Sequence, residues 1–172
     1  MHPDSGISIL LKKEAERRII QESVPRIKKC LSLLTIDQIW YKANSNSNSI
    51  GNLVLHICGN ARQWVCSGIG DLPDTRNRQL EFTSTEALSA ETLSSLLDTL
   101  CIDVIKVVEG IHDDEWIKIK KVQVFEETVL SILVHVIEHF SYHTGQITYL
   151  TKLLTDVDLK YYGDLNLEIH HE

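Results

Sequence analysis

Apolar residues recur at steps of three and four over four long stretches of this chain, with polar breaks between them. The last stretch is the clearest. Val129, Leu133, Val136, Phe140, His143, Ile147, Leu150 and Leu154 fall on one face of a helix expected from Glu126 to Leu154. The first helix is expected from Ser5 to Leu34, with Ile20, Val24, Ile27, Leu31 and Leu34 as its stripe and Pro25 as the source of a kink. Thr35 to Trp40 adds a short turn. Ser49 caps a second helix to about Gly68 that buries Ile50, Leu53, Val54, Ile57, Ala61, Trp64 and Val65. Ser89 caps a third, with Leu93, Leu97, Leu100, Val104, Val107 and Ile111 facing inward.

Two segments break the pattern. Gly68 to Leu88 has no strong period and reads as a long loop, either solvated or a lid, subunit contact or anion clamp built on Arg76 and Arg78. Ile117 to Val124 alternates and reads as a short strand or extended segment. After Leu154 the polar, tyrosine-containing tail is expected to drape over the bundle, with His170 and His171 on the surface. Four amphipathic helices around one core define an all-α four-helix bundle.

At 172 residues, 43 % hydrophobic and 24 % charged, the composition is that of a globular protein, and residues 1–172 are expected to form a single domain. A net charge of −7 without any basic cluster argues against nucleic acid as a partner. No stretch approaches the roughly 20 apolar residues of a membrane span, and the N-terminus lacks the pattern of a signal peptide, so a cytoplasmic address is expected. Cys30, Cys58, Cys66 and Cys101 lie within helical patterns and form no Cys-x-x-Cys, which reads as reduced core thiols.

The candidate chemistry lies in the last helix. His139 and His143 are four residues apart and stand one above the other, His143 inside the apolar stripe and His139 at its edge. Such a pair suits a metal ion, but two core-edge histidines satisfied by carbonyls or a carboxylate would give the same pattern. On the second helix His56 lies at the edge of the buried face, with Asn52 and Asn60 one turn either side and Gln63 beyond. A flank of histidine and amides suits a lined pocket better than a solvent face. If His56 joins the pair, three neutral nitrogens leave one coordination position open, as in catalytic zinc sites. A rival pattern, His135-x-x-Glu138-His139, matches an inverted zinc-protease motif with Glu138 as base, but gives His56 no task.

The segment His139-Phe140-Ser141-Tyr142-His143-Thr144-Gly145-Gln146 resembles the His-x-x-x-His-x-Gly-Gln signature of the DinB-like superfamily, which includes the YfiT-type metal-dependent hydrolases. Asn48 to Asn60 resembles that superfamily's second-helix block, and Asp74 to Phe82 resembles one uncharacterised branch. The match spans about residues 5 to 155. It implies a four-helix bundle with long crossovers, often a homodimer, and a metal triad of His56, His139 and His143. It also implies a metal-dependent reaction on a small molecule, by a thiol S-transferase using a low-molecular-weight thiol or by a hydrolase. Thr144 stands where many relatives carry Arg.

Three imidazoles favour zinc or nickel. Their second ring nitrogens need acceptors, for which Gln146 and Asn60 are placed. His135 is either a proton shuttle, and so the catalytic candidate, or a pocket-wall residue. Tyr142 is either a core residue or an orienting group for a bound ligand. A non-catalytic metal- or ligand-binding dimer is the alternative from a different class.

Overall fold

In a computed structural model of the protein, the residues described are 4–84, 86–163 and 165–170. The first helix begins at Ser5, whose hydroxyl accepts from the Ser8 amide. It runs as α1 (Gly6–Glu16), continues through a π-helical stretch (Arg17–Ser23) and ends as α2 (Val24–Ser32). The disturbance expected from Pro25 takes the form of this wide turn. Val24 N–H reaches back five residues to Ile19 O, and Ser23 Oγ donates to Arg18 O at 2.8 Å. α3 (Ile36–Ile39) is a single turn closed by a Thr35–Gln38 capping box. Gln38 also donates to Leu154 O at 3.2 Å, joining it to the end of the last helix.

Ser49 caps α4 (Ile50–Ala61) in a capping box with Asn52, and the helix continues as a second π-helical stretch (Arg62–Ile69). The segment expected to be a long loop contains a short helix, α5 (Arg78–Thr83), capped by Asn77 and packed against α4. α6 (Ala90–Glu109) begins at Ser89 as expected. The extended segment is one half of a hairpin. β1 (Ile119–Val122) pairs antiparallel with β2 (Phe125–Thr128), Ile119 opposite Thr128 and Val122 opposite Phe125. The last helix therefore starts three residues later than its pattern suggested, as α7 (Val129–Thr155) with Thr128 as cap. Glu126 and Glu127 are good helix formers, yet the hairpin register claims them for β2.

The first helix, α4 with its π extension, α6 and α7 form the bundle. α2 packs against α6 and α7, and α4 packs against both as well. Their stripes meet in one cluster in which Ile27, Leu31, Ile57, Leu97, Leu100, Val136 and Phe140 are fully buried. The tail drapes as expected. Leu159 is buried, and Tyr161 OH lies 2.8 Å from Thr148 Oγ1 and 3.2 Å from Cys30 Sγ. His170 is exposed, and His171 lies outside the described residues. No helix among the described residues is long and apolar enough to cross a membrane.

All four cysteines are free thiols. Burial pushes Cys58 up to about 12, and Cys66 and Cys101 up to about 11. Thiols so held are poor nucleophiles. Iodoacetamide at pH 8 is expected to modify the native protein slowly and to reach all four cysteines once guanidinium is added. Rapid native modification of Cys66 or Cys101, read by mass spectrometry, would contradict the packing described.

Candidate metal centre

α4 and α7 lie against each other with His56 facing the His139–His143 pair. The Nε2 of His139 is 3.0 Å from that of His56 and 3.2 Å from that of His143. No other trio of His, Cys, Asp and Glu ligand atoms among the described residues comes together in this way. The arrangement is held from outside. His143 Nδ1 is 2.7 Å from Gln146 Oε1, a carbonyl oxygen that can only accept, so Nδ1 carries the hydrogen and Nε2 the lone pair. His56 Nδ1 is 2.8 Å from Glu81 Oε2 and 3.2 Å from Arg76 Nη2; the shorter contact, to a charged acceptor, favours a hydrogen on Nδ1 and so the same tautomer. Two lone pairs therefore point at one spot. A hydrogen on His139 Nε2 could satisfy only one of them, and the buried His139 Nδ1 has no partner at all.

A cation among the three nitrogens would satisfy all three Nε2 lone pairs at once. Zinc–nitrogen bonds of about 2.0–2.1 Å in a tetrahedral site separate ligand nitrogens by about 3.3 Å, close to the spacing seen. Two of the donors are also in the right protonation state. Burial, reinforced by the neighbouring His143 and His56 rings, lowers His139 to about 3, and burial lowers His143 as well. Both are neutral bases at neutral pH, ready to bind a metal without first losing a proton.

The support behind His56 was not foreseen. Glu81, from α5, accepts two bonds from Arg76: Nε to Oε1 at 2.6 Å and Nη2 to Oε2 at 2.9 Å. Burial alone would raise Glu81, but these bonds and the one from His56 hold it below the usual carboxylate range. Arg76 Nη1 donates to Gln63 Oε1 at 2.9 Å, and Gln63 Nε2 donates to Asp74 Oδ2 at 2.7 Å. Asn52 Nδ2 donates to Glu81 O at 2.9 Å, binding α5 to α4. Gly59 makes the room: a Cβ there would collide with the Glu81 carboxylate. The anion clamp, one of the alternatives for this segment, is not formed by its two arginines. Arg76 is spent on Glu81 and Gln63, and Arg78 lies over the Phe82 ring at 5.2 Å. Phe82 in turn packs 4.9 Å from His56.

The other sequence candidates are placed as follows. Gln146 meets His143, as its position on that face suggested. Asn60 does not reach His56; its Nδ2 is 3.4 Å from His135 Nε2 and its Oδ1 has no partner. The reason is antiparallel packing, in which one turn after His56 meets one turn before His139. His135 is half-buried against Trp64 at 4.2 Å, and its ring is 5.7 Å from that of His139. Burial lowers its pKa. Tyr142 is 64 % exposed, which excludes the core role, and meets the His143 ring edge-on at 4.9 Å. Glu138 is exposed, and His143 rather than His135 joins the cluster, so the inverted protease arrangement is not formed.

The family model described as "Protein of unknown function (DUF1572)" matches residues 11–163. The chain belongs to the DUF1572 family. Its fold is that of a DinB-like protein from Bacillus cereus ATCC 10987, with a TM-score of 0.61 at 18 % identity over 78 % of this chain and 87 % of that one. A conserved protein from Enterococcus faecalis aligns at a TM-score of 0.68 and 15 % identity, over 89 % of this chain and 99 % of that one. No curated protein matches by sequence. At these identities the likeness speaks for the DinB-like bundle and not for a shared activity.

Two outcomes test the centre of this DUF1572 protein. Glu81→Gln is expected to weaken zinc binding about 10–100-fold, because His56 loses its charged acceptor. Unchanged affinity by calorimetry would remove Glu81 from the site. For pH, a histidine held near 3 in the folded state takes up its proton near 6.5 when unfolded. Its contribution to stability is present above about 6.5 and is lost as pH falls towards 3. The melting temperature of metal-free protein should therefore fall more steeply across this window than that of His139→Gln; equal slopes would contradict the burial assigned to His139.

Proposed function

We propose that this protein is a metal-dependent enzyme acting on a small molecule, as a thiol S-transferase or a hydrolase, through a three-histidine centre with an open position. The observation that carries the reading is the convergence of three ring nitrogens without a carboxylate among them. Such a donor set keeps the full charge of a divalent ion, zinc or nickel suiting imidazole best. When bound, that ion supplies Lewis acidity, lowering the pKa of a thiol or a water beside it.

The chain's own residues do the rest. His56, His139 and His143 bind, while Glu81 and Gln146 hold two of those rings in the tautomer that leaves Nε2 free. Phe82 packs on the His56 ring and Trp64 on the His135 ring. His135, whose pKa burial lowers and whose ring lies 5.7 Å from that of His139, is the group we assign to take a proton from the reacting molecule. Its contact with the Asn60 amide is long enough, at 3.4 Å, to yield that nitrogen to a substrate. The unpartnered Asn60 Oδ1 is an acceptor for a substrate N–H or O–H.

Elemental analysis of protein purified without chelators or metal-affinity resin is expected to find one divalent ion per chain, absent from a His139→Ala, His143→Ala double variant. Equal metal content in the two would sink the reading. Turnover of 1-chloro-2,4-dinitrobenzene only with added cysteine would select transferase over hydrolase, and a metal-loaded protein inert in both assays would leave a binding protein.

A further inference from the structure

A cavity of about 670 Å³ lies on the other side of α7 from the three histidines, between the middle of that helix and the π-helical turn of the first helix. Nothing in the metal centre requires it. On its α7 wall, Thr144 is only 6 % exposed, and its Oγ1 has no hydrogen-bond partner. An orphaned buried hydroxyl is uncommon and calls for a partner that the protein alone does not supply. Beside it stands Gly145, in the interior of a 27-residue helix where glycine is a poor helix former. A Cβ at Gly145 would meet nothing within 4 Å, so no packing neighbour demands its absence. The opposite wall is the π-helical turn before Pro25.

The charges around the cavity indicate what it would hold. Arg18 and Glu22 both line it and are spent on one another's neighbourhood: Arg18 pairs with Glu14 at 2.7 Å, and Glu22 is held by Arg17 and Arg18. Two charges remain. Arg26 has no carboxylate partner among the described residues and lies over the Tyr161 ring at 5.3 Å. Glu138 is exposed at the edge, also without an ion-pair partner among the described residues, and the two form no salt bridge with each other. A cation and an anion with no ion-pair partner among the described residues, lining the same cavity as an unsatisfied hydroxyl, match a ligand of the opposite pairing.

We propose that this cavity is a second small-molecule site that binds a zwitterion, one carboxylate towards Arg26 and Thr144 and one ammonium towards Glu138, an amino acid or short peptide in chemical class. The volume is within the range of small-molecule pockets and exceeds what a lone inorganic ion needs.

The test is a saturation-transfer NMR screen of the intact protein against the twenty L-amino acids and the twenty Xaa-Gly dipeptides, with hits titrated by calorimetry. At least one is expected to bind. Affinity should fall about tenfold or more in Arg26→Met, which removes a charged hydrogen bond, and should fall in Thr144→Val and in Gly145→Leu, which fills the space. The N-acetylated or amidated form of the hit should lose affinity likewise. His139→Ala, which disables only the metal centre, should bind as the native protein does. Thr144→Val should melt no lower than the native protein, since it removes an unsatisfied polar atom; a lower melting temperature would assign Thr144 a structural role. The proposal is overturned if no member of the panel binds, as when Thr144 is satisfied by an ordered water only. It is overturned equally if a hit binds Arg26→Met unchanged, or is lost in His139→Ala.

Discussion

Everything in this structure that bears on function follows from a crowding of lone pairs. Three imidazoles from two helices are packed so that their Nε2 atoms share one point, in a region where burial keeps His139 and His143 neutral. Neutral rings in fixed tautomers cannot satisfy one another there, because two of the three present only acceptors. Protonation of His139 and His143 is opposed by burial. A divalent cation resolves it, gaining three nitrogen ligands of which His139 and His143 need not first lose a proton. The four-helix bundle supplies the rigidity that keeps such an unfavourable arrangement assembled.

The cost of holding His56 is met by the segment after α4. Glu81 and Arg76 form a nearly buried, two-point ion pair, their side chains 8 % and 5 % exposed. Buried pairs of this kind add little net stability once desolvation is counted. What this one does is aim. Arg76 keeps Glu81 charged, Glu81 fixes the His56 tautomer, and Gln63 and Asp74 fix Arg76. The gap at Gly59 lets the carboxylate approach the helix closely enough to do so. The segment is thus less a lid than a brace, and its arginine is unavailable to an anionic substrate.

How much of this could be read in the sequence depends on how local each contact is. The bundle helices were legible because their stripes are periodic, and the caps at Ser49 and Ser89 because capping is a matter of three residues. His139, His143 and Gln146 were legible for the same reason, being one turn apart on one helix. His56 stood out only through the histidine and amides on its flank and through the resemblance of its surroundings to a known block. Glu81 was not legible: it reaches His56 from 25 residues away, out of a segment with no period to mark α5. Asn60 was assigned to the wrong histidine because a single helix does not reveal the direction of its neighbour. β2 was missed because Glu126 and Glu127 favour helix locally, and only pairing with β1 overrides that preference.

The central claim is that one cation occupies the point where the three nitrogens converge. Crystals soaked in zinc, with data collected on either side of the zinc absorption edge, measure this directly. The account predicts one strong anomalous peak about 2.0–2.1 Å from Nε2 of His56, His139 and His143 alike, with Glu81 still on His56 Nδ1. A peak bound to only two of these histidines, or lying elsewhere with the three rings unmoved, would contradict it.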